Sequence, residues 1–380
     1  MNRHEGKPQF DLHSGIFGEM LHSVNMEKPI QVIGLMSGTS LDGVDLAACT
    51  FSLKDECWQF SIDAAETIPY SSDWSNKLQT LHLASAEELA ETHSALGRYF
   101  GALIADFCQT YTLNPALVGS HGHTIFHQPQ RKFTLQIGDG AAIAAISGID
   151  TVCDFRTKDI ALGGQGAPLV PVGDAMLFSE YAGCLNLGGI SNISFGKGNI
   201  RNAWDICPVN MILNHLALYE GKAFDDGGQL AASGKILPTL LEELNSLPFY
   251  HQAGPRSLGR EWFEKIFLPL IKNSEGATLD KMRTAVEHIA IKIGEAINGI
   301  NEKGPVLVTG GGAFNRFLIE RMRFYSSHPV TIPSTELINF KEAIVFALLA
   351  ALNINGKENV FSSATGASRN SIGGALYRAN

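Results

Sequence analysis

With 380 residues, 45% hydrophobic and 18% charged, the chain is long and apolar enough for about two or three globular domains and does not read as disordered. A net charge of −9 argues against nucleic acid or an anionic membrane as the main partner, although a local nest of N–H groups can still hold a nucleotide. The six cysteines are scattered without a Cys-x-x-Cys pair, which predicts reduced thiols in a cytoplasmic protein and neither a disulfide framework nor a zinc site.

No window reaches the ~18 uninterrupted apolar residues of a membrane span. Residues 1–28 mix His, Glu, Lys and Asp without an apolar stretch, so they read as a loosely attached extension and not as a secretory signal. Met26 offers a second start.

Residues 31–51, QVIGLMSGTSLDGVDLAACTF, open the folded part. Val32, Ile33 and Leu35 form one apolar run, and Val44, Leu46, Ala47 and Ala48 a second. Between them lie Ser37, Gly38, Thr39, Ser40, Leu41 and Asp42, which predicts a hairpin. Such a turn exposes backbone N–H groups and hydroxyls, so it reads either as a phosphate cradle or as an ordinary turn. Residues 85–111 carry Leu89, Leu96, Phe100, Leu103, Ile104 and Phe107 at helical spacing, predicting an amphipathic helix over a sheet. Residues 117–120 read as a buried strand leading into a His121-Gly122-His123-Thr124 loop. Further strands are expected at 134–137 and 151–153, then the Asp154-Phe155-Arg156 segment and a Gly-rich stretch from Leu162 to Pro168.

At Cys184 the opening pattern recurs: an apolar strand, a Gly188-Gly189-Ile190-Ser191 turn, a returning strand, and a third strand ending at Asp205. Strand, small turn, strand repeated about 150 residues on is what a duplicated domain leaves behind. Helices are expected over 211–219, 228–234, 258–271, 279–300 and 343–352. A strand at 305–308 runs into Gly310-Gly311-Gly312. This alternation predicts an α/β fold in two halves, with mainly parallel sheets around a cleft. The stretch around Gly228 only superficially suggests a Walker A loop, because the spacing is wrong and Ile236 stands where Ser or Thr is needed.

Three small-residue turns therefore follow buried strands, and together they suggest two phosphate hairpins and a nucleoside-side loop. Asp205, beside an apolar wall, suits a general base; the alternative is a helix N-cap. Arg156 suits a carboxylate or sugar hydroxyls, with Asp154 and Asp159 orienting it; the alternative is an internal salt bridge. His121, His123 and His127 read as substrate contacts or core residues more readily than as a metal cluster.

In order, GLMSGTSLDGVD, GSHGHTIFHQP, LQIGDG, DFRTKDIALGGQGAPLVP, LNLGGISN and VTGGGAFN resemble the anhydro-N-acetylmuramic acid kinase family, from about Ile30 to the C-terminus. The resemblance implies the hexokinase/actin-like superfamily, with two actin-like, ribonuclease H-like domains at 29–180 and 181–380, the C-terminal helix packing back on the first. It implies ATP and Mg²⁺, and hydrolytic opening of the 1,6-anhydro ring with phosphorylation at O6. Asp205 matches the family's base. Ser37, Gly38, Thr39, Ser40, Leu41 and Asp42 match its first phosphate loop, Gly188, Gly189 and Ser191 its second, and Gly310, Gly311 and Gly312 its adenosine-side loop. Thr124, Arg156 and Glu342 match sugar-binding positions. No protein metal ligand is implied, since Met36 and Asn186 stand where the superfamily often has Asp. The family's Asp-(Thr/Cys)-Gly-Pro-Gly-Asn is here Asp205-Ile206-Cys207-Pro208-Val209-Asn210, which is expected to add bulk beside the sugar. Two alternatives stand: a kinase of another 1,6-anhydrosugar such as levoglucosan, and an idle ATP-binding regulator. A homodimer is allowed.

Overall fold

The structure, a computed structural model, describes residues 28–380 except 56, 199 and 253–255. The expected N-terminal extension lies outside the described residues apart from Lys28. Strands β1 (Ile30–Ser37), β2 (Gly43–Lys54) and β3 (Cys57–Pro69) make an antiparallel meander. On the other side of β1, β4 (Leu117–Gln128) and then β6 (Thr151–Cys153) run parallel to it. Strand β5 (Phe133–Ile137) pairs antiparallel with the end of β4. A second sheet repeats the plan: β7 (Gly183–Leu187), β8 (Ile190–Lys197) and β9 (Ile200–Pro208) form the meander, with β10 (Val306–Thr309) and β11 (Val330–Thr331) parallel to β7. The order β3-β2-β1-β4-β6 thus returns as β9-β8-β7-β10-β11 with the same directions, the duplication expected of the two-half α/β fold. Strand β12 (Ala375–Tyr377) returns to the first sheet beside β6.

The expectation of mainly parallel sheets is corrected. Short turns join neighbouring strands only antiparallel, and each half spends its first three strands that way. Parallel pairing is confined to the strands reached through longer connections.

β1 is buried on both faces, which is why it reads as a continuous apolar run. Ile33 and Leu35 face one core with Leu96, Phe100, Ile104 and Phe107 of the helix Ala86–Tyr111, whose N-cap Ser85 accepts from the Glu88 N–H. Val32 faces the opposite core under the helix Thr335–Ile354. That helix touches the strands almost backbone to backbone. A Cβ on Gly34 would lie 1.7 Å from the Ala343 carbonyl oxygen, and one on Gly119 2.2 Å from that of Phe346. Among the described residues it is the helix long and apolar enough to cross a membrane, and most of it is buried in the protein.

Candidate active site

The first hairpin turns at residues 38–42, between Ser37 and its partner in register, Val44. Leu41 takes a positive φ of 62° and its N–H reaches back to the Gly38 carbonyl (3.3 Å). Ser40 Oγ donates to Asp42 Oδ1 (2.7 Å), and both side chains are exposed. Ser37 behaves differently. It is buried, with Oγ 2.7 Å from the Tyr70 hydroxyl and 2.9 Å from His123 Nδ1. Its hydroxyl is committed to holding the strand end, and Thr39 is exposed in the turn.

The second hairpin is clamped to the helix Asn210–Ala217. The Gly189 carbonyl accepts from Val209 and Met211 N–H, the Gly188 carbonyl from Asn210 N–H, and the Leu187 carbonyl from Asn210 Nδ2 (3.0 Å). Ser191 is again internal, donating to the Cys207 carbonyl (3.0 Å). The third loop lies against this hairpin. Gly310 has φ 81°, and a Cβ there would stand 2.4 Å from Asn186 Oδ1, so only glycine lets the loop approach so closely. Gly188, Gly310, Gly311 and Gly312 therefore converge around Asn186 and Asn210, while Gly189 lies against Met211.

Asp205 lies within β9, opposite Asn192, three residues before the strand ends. It is not an N-cap, since Val209 holds that position. Oδ2 accepts from the Leu258 N–H (2.8 Å) and from Ser257 Oγ (3.2 Å), while Oδ1 has no partner among the described residues. Arg256 ties the same segment down, its carbonyl accepting from Asp205 N–H and its guanidinium donating to the Asp205, Tyr250 and Gln252 carbonyls. Burial pushes the Asp205 carboxyl above the ordinary range, and the bonds from Leu258 and Ser257 work against that rise. The structure thus presents a half-buried carboxylate with one oxygen fixed and the other free.

The substitutions after Asp205 are absorbed. Cys207 and Val209 are fully buried in the second core with Ile206, and the negative φ of Val209 (−122°) does not call for glycine. The expected bulk therefore points into the core and not toward a sugar pocket.

The His121-Gly122-His123-Thr124 stretch is strand and not loop, because β4 runs on to Gln128 where β5 covers it. Each histidine has a partner other than a metal: His121 bonds Arg156 and the Gly122 carbonyl, His123 bonds Ser37, and His127 bonds Thr134. Thr124 Oγ1 accepts from Gln136 Nε2 (3.3 Å). Arg156 donates to the Gly166 carbonyl (2.6 Å) and pairs with neither nearby aspartate. Asp154 accepts from Thr157 Oγ1, and Asp159 from the Gly166 N–H and Thr365 Oγ1. Burial lowers the Arg156 guanidinium to about 10, with Glu342 and Asp159 acting in the opposite direction. Glu342 is open to solvent yet surrounded by enough protein that its carboxyl is raised by desolvation, against the pull of Arg156 and Lys341. Asp45, on β2 behind the first turn, contributes to the same field.

The predicted residues thus fall into two groups, one of Arg156 and Glu342 beside the first hairpin, the other of Asp205 with the second hairpin and the Gly310 loop. Among the described residues no hydrogen bond joins Asp205 to Thr124, Arg156 or Glu342. Among the described residues no cluster of three or more His, Cys, Asp or Glu could hold a metal. Sequence reasoning missed Ser257 and Leu258 beside Asp205; it named His121 as a substrate contact or core residue without placing it against Arg156.

Over residues 30–379 the chain matches the family described as Anhydro-N-acetylmuramic acid kinase. A protein of that name from Coxiella burnetii (strain RSA 493 / Nine Mile phase I) is 36% identical over 368 residues, covering 91% of this chain and 96% of the relative. One from Aliivibrio fischeri is 35% identical over 373 residues, covering 92% and 99%. Among solved structures, the xylulose kinase from Rhodospirillum rubrum resembles it with a TM-score of 0.42 at 12% identity, covering 85% of this chain and 90% of that one. With a match that runs from β1 through β12 and relatives covered almost end to end, the chain belongs to the anhydro-N-acetylmuramic acid kinase family, a family of phosphotransferases.

Proposed function

We propose that this phosphotransferase uses ATP to phosphorylate O6 of 1,6-anhydro-N-acetylmuramic acid while water opens the anhydro ring, giving N-acetylmuramic acid 6-phosphate and ADP in peptidoglycan recycling. The observation that carries this reading is Asp205, with Oδ2 held by Leu258 and Ser257 and Oδ1 free. Oδ1 takes a proton from water as the water oxygen bonds to C1. The C1–O6 bond breaks toward O6, and O6 captures the γ-phosphoryl group as its bond to the β-phosphate oxygen breaks. An inverting glycosidase needs a second carboxyl to protonate the departing oxygen. Here the phosphoryl group captures that oxygen, so one carboxylate is enough.

We take the two sheets as two domains dividing near residue 180, with the substrates between them. The backbone N–H groups of residues 38–40 and 42 and of Gly188 and Gly189 suit phosphate oxygens, and the tight Gly310 cradle against Asn186 suits the nucleoside side. Mg²⁺ would neutralise phosphate charge there, and phosphates and water would supply most of its ligands. Arg156, enclosed without an ion-pair partner among the described residues, favours a sugar bearing a carboxylate over levoglucosan. A free base argues against an idle regulator.

Reaction in ¹⁸O-water with ATP and Mg²⁺ tests the scheme. Label at C1 with phosphate at O6 is expected; phosphorylation with the ring intact would remove the coupled step. Asp205→Asn should lose ring opening and phosphorylation together, by about 10²–10⁴-fold in kcat. Retained phosphorylation would take Asp205 out of the base role.

A further inference from the structure

The guanidinium of Arg156 rests on an imidazole where a carboxylate would be usual. Arg156 Nε and Nη2 lie 3.0 and 2.9 Å from His121 Nε2, and Nη1 lies 2.6 Å from the Gly166 carbonyl. On the far side of the ring, His121 Nδ1 lies 3.0 Å from the Gly122 carbonyl. A carbonyl only accepts, so Nδ1 carries the hydrogen. A guanidinium only donates, so Nε2 carries none. The ring is therefore the neutral Nδ1–H tautomer, and both of its nitrogens are spoken for. Packing of the imidazole on Phe346, centroids 4.6 Å apart, fixes its plane. Burial and the nearby Arg156 both push its pKa well below the ordinary range, so it does not become a donor near neutrality.

A neutral acceptor orients an arginine without neutralising it. Had Asp159 or Asp154 taken this place, the positive charge would already be paired. Instead both carboxylates are turned to Thr157, Thr365 and the Gly166 N–H. Three N–H groups of Arg156 are engaged by His121 and Gly166, and two remain without a partner among the described residues. A planar pair of charged donors matches a carboxylate. We infer that His121 is a positioning residue, which as a neutral acceptor holds Arg156 oriented and unpaired for the carboxylate of the sugar. The inference rests on the function proposed above and adds to it the residue that sets preference for an acidic sugar.

The test compares 1,6-anhydro-N-acetylmuramic acid with 1,6-anhydro-N-acetylglucosamine, which has the same ring without the carboxylate, measuring ADP release by the full chain with saturating ATP and Mg²⁺. His121→Leu, which removes the acceptor, should reduce the kcat/KM preference for the acidic sugar about tenfold or more, through KM more than kcat. His121→Gln, whose amide can accept from Arg156 and donate to Gly122, should restore much of it. In an Arg156→Ala background, His121→Leu should change the preference no further. A parallel loss on both sugars, or His121→Gln no better than His121→Leu, would overturn the inference. Because His121→Leu could fail to fold, nitrogen NMR of the wild-type imidazole gives a second reading. An Nδ1–H tautomer between pH 6 and about 8 is expected, and an Nε2–H tautomer or an imidazolium would overturn the assignment. A wild type that consumes neither sugar would instead sink the proposed function, an outcome distinct from an active enzyme whose preference ignores His121.

Discussion

Asp205 carries its charge on two unlike oxygens, and the difference is set by a segment more than fifty residues away in the chain. Folding half-buries the carboxyl and so disfavours the ionised form, while the Leu258 N–H and Ser257 hydroxyl stabilise that form. Removing one donor shifts the balance toward burial. In Ser257→Ala the carboxyl should rise further, so the acid limb of the kcat/KM profile should move to higher pH. Near that limb the activity should fall about tenfold, as for loss of a hydrogen bond to a charged group. Well above it the rate should recover, because the Leu258 bond still fixes Oδ2. Ser257→Thr should leave the limb near its wild-type position. A Ser257→Ala profile lowered evenly at all pH values would assign Ser257 a packing role only.

Elements differ in how far their burial writes itself into the sequence. β1 and β2 announce a hairpin because both faces of each are buried, and β7 repeats the signal for the same reason. β3 gives no such signal, since one of its faces is exposed and carries Gln59, Ser61 and Asp63. The histidine segment looks like a loop because its cover strand, β5, is separate in sequence. Ser257 and His121 owe their roles to contacts that no local period encodes. The same holds for the join between the helices Thr278–Asn298 and Arg316–Tyr325. There Glu287 is buried, which alone would raise its carboxyl, but bonds from Arg321, Tyr325 and Arg283 outweigh burial and hold it near about 2. Its folded pKa is depressed, so its contribution is complete above the ordinary value of 4.5 and is lost as pH falls toward about 2. Glu287→Ala should cost about 3 kcal/mol at neutral pH by urea unfolding. The gap from wild type should close as the pH is lowered through that window; a gap independent of pH would mean the loss is one of packing.

At the scale of the molecule, the chain crosses between the sheets twice. The helix Val170–Leu177 leads out of the first sheet toward β7, and the helix Thr335–Ile354 brings the chain back from the second. One buried ion pair joins these two crossings: Lys341 Nζ lies 2.7 Å from Asp174 Oδ1, with both side chains almost wholly enclosed. Ser194 of β8 donates to the other Asp174 oxygen, and Arg201 of β9 donates to Ser194 Oγ (3.2 Å), so the second sheet is tied to the same point. Burial opposes the charge on Lys341, but Asp174 more than offsets it and the amine is raised above its ordinary range. That contribution is therefore complete at neutral pH and fades only as pH rises above the unfolded amine's pKa. The residue after Lys341 is Glu342, so the pin that joins the crossings also sets where the Glu342 carboxyl stands. Lys341→Met leaves Asp174 buried without its ion-pair partner, and should cost about 3–5 kcal/mol by urea unfolding. Lys341→Met with Asp174→Leu should recover most of that loss, since an apolar pair of similar volume replaces a desolvated one. A single variant costing under about 1 kcal/mol, within the range of an exposed pair, would mean water already screens this contact and the crossings are not pinned here.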